Sequence, residues 1–88
     1  METTFDRVKR VTAELLKVDP AKITEKSAFV EDLGAESVQS IELVDAFEEE
    51  FGIEMDEDAA LSVKNVGDAV RFIDNILKQQ KKFPRSAG

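Results

Sequence analysis

Between Gly34 and Gly52 the chain holds a single period without interruption. At about 100° per residue, Ser40, Leu43, Val44, Phe47 and Phe51 share one side of a helix. Glu42, Asp45, Glu48 and Glu49 take the opposite side. A stripe of that spacing belongs to an amphipathic helix and excludes a half-buried strand, which would alternate every second residue. Gly52 stands where a glycine stops a helix, so the spacing predicts a helix over 37–51. Val38 and Ile41 fall on the acidic side or its margin, outside the apolar stripe. A single exposed valine means little, but two branched apolar side chains among carboxylates suit a surface that docks a partner.

The rest of the chain must cover that stripe. Phe5, Val8, Thr12, Leu15 and Leu16 recur at helical spacing and predict a helix over 4–18, capped by Thr3 or Thr4. Arg7, Arg10, Glu14 and Lys17 fall on its water-facing side. Asp19-Pro20 is the expected stop, since a residue before proline is pushed out of the α region. Residues 19–36 have no sustained period and make a long connection for a compact domain. Ile23, Phe29, Val30 and Leu33 predict that this loop packs down over one end of a bundle, with a short helical turn near 28–33. A short helix over 56–61 should follow Gly52, capped by Asp56, its acidic first turn suited to the positive helix end. Asn65 is the natural cap of a last helix with Val66, Ala69, Val70, Ile73, Ile76 and Leu77 on one stripe. Gly67, in its first turn, should cost little there. No strand alternation, repeat or second domain is visible. The expected fold is all-α: a small four-helix bundle of three longer helices and one short one over 1–77, with a long loop between helices one and two. Residues 78–88 form a basic C-terminal tail that loses its period and is expected to fray.

Composition narrows the chemistry. The chain contains no Cys and no His, which removes disulfides, thiolate nucleophiles, Cys/His zinc sites and a histidine general base. A formal net charge of -7 argues against nucleic acid as a partner. From Ser27 to Val63 there are twelve Asp and Glu and no Lys or Arg, so the negative field belongs to the middle of the chain and would steer it toward a basic partner. No apolar run approaches the ~20 residues of a membrane span, and the first residues lack the order of a signal peptide. A cytoplasmic location is expected, or an organelle if a transit segment has been removed. The start Asp56-x-Asp58 resembles a calcium loop, but Leu61 and Gly67 occupy positions that need Gly and Glu, so that pattern fails and no metal site is expected.

Ser37 is the residue around which function turns. Serine before an apolar helix is a common N-cap, although Glu36 competes for that place. As a nucleophile it would need a neighbouring base, and no lysine lies near it in sequence. The Gly-x-Ser-x-Gly elbow is broken by Gln39. Modification remains: an accessible hydroxyl at a helix start, where the helix end favours a phosphodiester although the neighbouring acids repel it.

At these residues the sequence resembles the acyl carrier protein family, whose signature is a Gly-Ala-Asp-Ser-Leu run opening an acidic second helix; here it stands as Gly34-Ala35-Glu36-Ser37-Val38. Phe29-Val30-Glu31-Asp32-Leu33, Ile41-Glu42-Leu43-Val44, Phe47-Glu48-Glu49-Glu50-Phe51 and Val66-x-x-Ala69 also look like family positions, and the likeness runs over about residues 4–77. The resemblance implies that Ser37 carries a 4′-phosphopantetheine arm, installed from coenzyme A by a phosphopantetheinyl transferase, and that the arm's thiol holds acyl groups as thioesters. A chain without cysteine can do thioester chemistry only on a borrowed thiol. It implies a non-enzymatic, monomeric carrier for fatty acid, polyketide or lipid assembly, docking on basic patches of acyl-loading, condensing and reducing enzymes. By position the docking residues would be Glu36, Val38, Ile41, Glu42, Glu48 and Glu49, with Asp56 and Glu57 at the edge. The acyl chain would shelter among Leu43, Phe47, Ala60, Val63 and Ile73. Glu36 replaces the usual Asp, Val38 the usual Leu, and Asp45 a usually apolar residue, departures that suggest a specialised carrier with its own partners. Two alternatives stay open: a stand-alone peptidyl or aminoacyl carrier, and a non-carrier acidic binding module in which Ser37 only caps a helix.

Overall fold

The computed structural model describes residues 2–82. Helix α1 (Thr4–Leu16) leads through a single 3-10 turn (Pro20–Lys22) to α2 (Ser37–Phe51), the short α3 (Glu57–Leu61) and α4 (Val66–Lys82). Helix α1 packs on both α2 and α4, and α3 packs on α2. Val8, Leu43, Phe47, Val66, Ala69 and Ile73 are among the residues that close the core between them.

Helix α1 opens with a reciprocal cap. Thr3 Oγ1 accepts from the Asp6 N–H at 3.1 Å, and Asp6 Oδ2 accepts from the Thr3 N–H at 3.2 Å, which satisfies two backbone donors at once. It ends at Leu16, short of the expected residue 18. Lys17 takes the left-handed conformation (φ 58°) and its N–H bonds the Ala13 carbonyl, so the helix stops before proline has any say. Asp19-Pro20 starts the 3-10 turn instead, with Asp19 Oδ1 accepting from the Ala21 N–H at 2.9 Å.

The long connection is packed, as its apolar residues require: Ile23, Phe29 and Ala35 are buried. It is also pinned to the start of α4. The Phe29 N–H donates to the Lys64 carbonyl at 3.0 Å, Val66 N–H to Ser27 at 2.9 Å, and Gly67 N–H to Glu25 at 2.8 Å. Gly67 is more than tolerated there. A Cβ on it would sit 3.0 Å from the Glu25 carbonyl oxygen, so this close approach of backbone to backbone favours a glycine. Asn65 Oδ1 caps α4 by accepting from the Asp68 N–H at 2.9 Å. The helix then runs past Leu77 to Lys82. Residues 83–88, most of the stretch expected to fray, lie outside the described residues.

Arg7 and Arg10 do not simply face water. Arg7 Nε and Arg10 Nη2 each lie 2.9 Å from Glu50 Oε2, and Arg7 Nη2 donates to the Glu50 carbonyl at 2.7 Å. The Arg7 guanidinium also sits 4.4 Å from the centre of the Phe51 ring, a favourable cation–π placement. Together they fasten the start of α1 to the end of α2.

Candidate functional site

The turn before α2 decides what Ser37 can do. The Ala28 carbonyl accepts from the N–H groups of Asp32 and Leu33, both at 3.0 Å, and the Phe29 carbonyl accepts from Ala35 at 2.8 Å. Asp32 Oδ2 closes the same turn on the Ala28 N–H at 2.7 Å. Gly34 supplies the positive φ (74°) that reverses the chain, and Ala35 is buried at 4% exposure. An anchored Ala35 leaves Glu36, Ser37 and Val38 facing water. Glu36 is the N-cap, with extended backbone, and its carbonyl accepts the first helical bond from the Ser40 N–H at 2.9 Å. Gln39 Oε1 accepts from the Glu36 N–H at 2.9 Å. Ser37 is therefore one residue inside the helix and is not the cap, and the bonds described at this turn leave its hydroxyl uncommitted. The donor chemistry fits a covalent phosphodiester: one exposed primary hydroxyl at the positive end of a helix.

Beyond Ser37, the outer face of α2 carries Val38 at 59% exposure and Ile41 at 42%. Glu42, Asp45 and Glu49 complete the stripe, and Glu36, Asp56 and Glu57 are exposed as well. Glu48 differs from its expected neighbours. It sits at the margin of that face, half-buried, and its Oε2 accepts from the Met55 N–H at 2.8 Å. That carboxylate holds the segment entering α3 and is not free in the way Glu42 is. Glu50, on the other margin, is held below the usual carboxylate range by the Arg7 and Arg10 guanidiniums bonded to it. Among the described residues, no group of three or more carboxylates is placed to hold a metal ion.

A cavity of about 510 Å³ lies behind Ser40, on the inner side of α2. Leu43, Phe47, Ala60 and Val63 line it, together with Phe29, Val44, Ala69 and Phe72. Ile73 does not line it; it is fully buried in the core. Seen from Ala69, Ile73 lies roughly 40° to one side and Phe72 roughly 60° to the other, and the cavity is on the Phe72 side. Phe72 is one of the lining residues that the expected acyl pocket left out. It sits beside Ile76 at the margin of the α4 stripe, an aromatic that a stripe count passes over.

A family model described as a phosphopantetheine attachment site matches residues 6–73. An acyl carrier protein of Phenylobacterium zucineum (strain HLK1) is 51% identical over 77 residues, which covers 88% of this chain and 98% of that one. A solved protein of Mycobacterium tuberculosis, provisionally assigned as an acyl carrier protein, superposes with a TM-score of 0.77 at 26% identity. The match covers 83% of this chain and 97% of that one. An exposed serine on a glycine turn, an acidic helix behind it and an apolar cavity beneath now stand with a family match over most of the chain. This chain belongs to the acyl carrier protein family, and it is a carrier with a covalent 4′-phosphopantetheine, not an enzyme.

Proposed function

We propose that Ser37 holds the 4′-phosphopantetheine arm and that the carrier presents acyl thioesters to assembly enzymes through the outer face of α2. The observation that carries this reading is the position of Ser37. It is exposed at the first residue of α2, one turn before Ser40, which lines the cavity. A tethered chain can thus leave the surface at one end of the helix and enter the interior a turn away. The bound arm supplies the thiol that this chain lacks. The chain's own residues do the rest: Ser37 anchors, Val38 and Ile41 seat a partner's apolar contact, and Glu42 and Glu49 steer toward its basic patch. Glu48 belongs less to docking than to the α2–α3 connection.

The mostly apolar lining favours acyl over aminoacyl or peptidyl cargo, because a charged amine buried there would go unpaired. Glu36 and Val38, in place of the usual Asp and Leu, mark a carrier whose condensing and reducing enzymes are its own. Transfer of the arm by a broad-specificity phosphopantetheinyl transferase, timed at several salt concentrations, tests the reading. The rate should fall as salt rises, and Glu42→Lys should slow it several-fold while leaving the fold intact. A rate indifferent to both salt and Glu42→Lys would remove the acidic face from the account.

A further inference from the structure

Ala28 is held from two sides. Toward α4, its neighbours make the bridge to Asn65: the Phe29 N–H donates to the Lys64 carbonyl at 3.0 Å, and the Val66 N–H to the Ser27 carbonyl at 2.9 Å. In an antiparallel pair of that pattern the bridging residue's own N–H and carbonyl point away from the partner segment. Both find Asp32. The Asp32 N–H donates to the Ala28 carbonyl at 3.0 Å, and Asp32 Oδ2 accepts from the Ala28 N–H at 2.7 Å. Asp32 thus couples the segment pinned on α4 to the turn that leads through Gly34 and the buried Ala35 to Ser37. Every other bond described within residues 28–35 runs from backbone to backbone, so this carboxylate is the side chain that closes the turn.

By sequence Asp32 is one more acid among twelve, and its exposure suits a charge that steers a partner. Its bonds give it another use. We infer that Asp32 is a positioning residue for loading of the arm: its carboxylate oxygen, as a hydrogen-bond acceptor and not as a charge, fixes where the transferase meets the Ser37 hydroxyl. This rests on the reading that Ser37 bears the arm. In the transfer the Ser37 oxygen bonds to the phosphorus next to pantetheine in coenzyme A and the phosphoanhydride bond breaks. Adenosine bisphosphate leaves, and the hydroxyl proton passes to a base on the transferase. Displacing a reacting atom by about 1 Å can cost roughly 10²-fold in rate. The docking face of α2 lies beyond Ser37 and is not tied by Asp32, so loss of the bond should slow the step without weakening the encounter.

Steady-state loading by a phosphopantetheinyl transferase, with the apo carrier as the varied substrate, tests this in two variants. Asp32→Asn removes the charge and keeps an acceptor in place, whereas Asp32→Ala removes both. Asp32→Asn should load at close to the unaltered rate, and Asp32→Ala should lose about ten-fold in kcat at a nearly unchanged KM. Cooperative thermal unfolding above the assay temperature verifies that each variant is folded. Should Asp32→Ala not fold, Asp32→Glu takes its place, with the charge kept, the acceptor moved by one methylene and the same loss in kcat expected. An Asn variant as slow as the Ala variant would make Asp32 a docking charge and overturn the positioning role. So would a kcat untouched in the variant that lacks or displaces the acceptor. Failure of the unaltered protein to gain an arm, or a gain that persists in Ser37→Ala, would instead overturn the Ser37 reading, and the role of Asp32 with it.

Discussion

Thr12 Oγ1 is fully buried in α1 without a hydrogen-bond partner among the described residues. A donor left unpaired in a core costs about 1–3 kcal/mol, so Thr12→Val should raise the urea stability by about 1 kcal/mol. A loss on that substitution would mean that the hydroxyl has a partner. Lys17 offers a second adjustable residue: its left-handed conformation is strained by roughly 1–2 kcal/mol for a side chain with a Cβ. Lys17→Gly relieves that and adds unfolded-state freedom, leaving an expected net gain of a few tenths of a kcal/mol in the same titration. Neither residue announced itself in sequence. Threonine fits the apolar spacing of α1, and nothing marks a lysine as a helix stop. Ser37 was singled out in sequence by the glycine, alanine and acid that lead to it in order; that it lies inside the helix rather than capping it depended on Glu36 and Gln39, whose pairing only the fold displays.

At the level of elements, the ends of α2 were readable from Gly34 and Gly52, whereas the ties between elements were not. Arg7 and Arg10 lie 43 and 40 residues from Glu50 in sequence, and each alone looks like a solvent-facing charge. Their contact gives a pH signature. Glu50, ordinarily near 4.5, is lowered in the fold, so below that value the unfolded chain binds a proton that the folded one resists. Its contribution is present above about 4.5 and lost as pH falls through the lowered folded value. The urea midpoint should therefore drop on acidification in that window, and Glu50→Gln should flatten the drop; an unaltered slope would show the clamp to be idle. Gly67 gives the opposing test of helix propensity. Alanine in a helix normally gains about 0.5–1 kcal/mol over glycine, yet a Cβ at Gly67 would press on the Glu25 carbonyl at 3.0 Å. Gly67→Ala should lower the melting temperature, and a rise would show that the loop yields freely.

For the whole molecule, charge and shape answer different questions. Twelve carboxylates without a basic residue between Ser27 and Val63 made the acidic middle of the chain readable from composition, and the helical period placed Val38 and Ile41 on the exposed face of α2. The cavity was only partly readable. Leu43 and Phe47 follow from the α2 stripe, but Phe72 lines the cavity where Ile73 was expected, because Ile73 turns into the core. Any account of the acidic face and the cavity needs the arm to be on Ser37. Intact mass spectrometry after incubation with coenzyme A and a phosphopantetheinyl transferase tests this most directly. The account predicts a single phosphopantetheine-sized gain in the unaltered protein and none in Ser37→Ala. An unchanged mass with several transferases, or a gain that persists in Ser37→Ala, would contradict it.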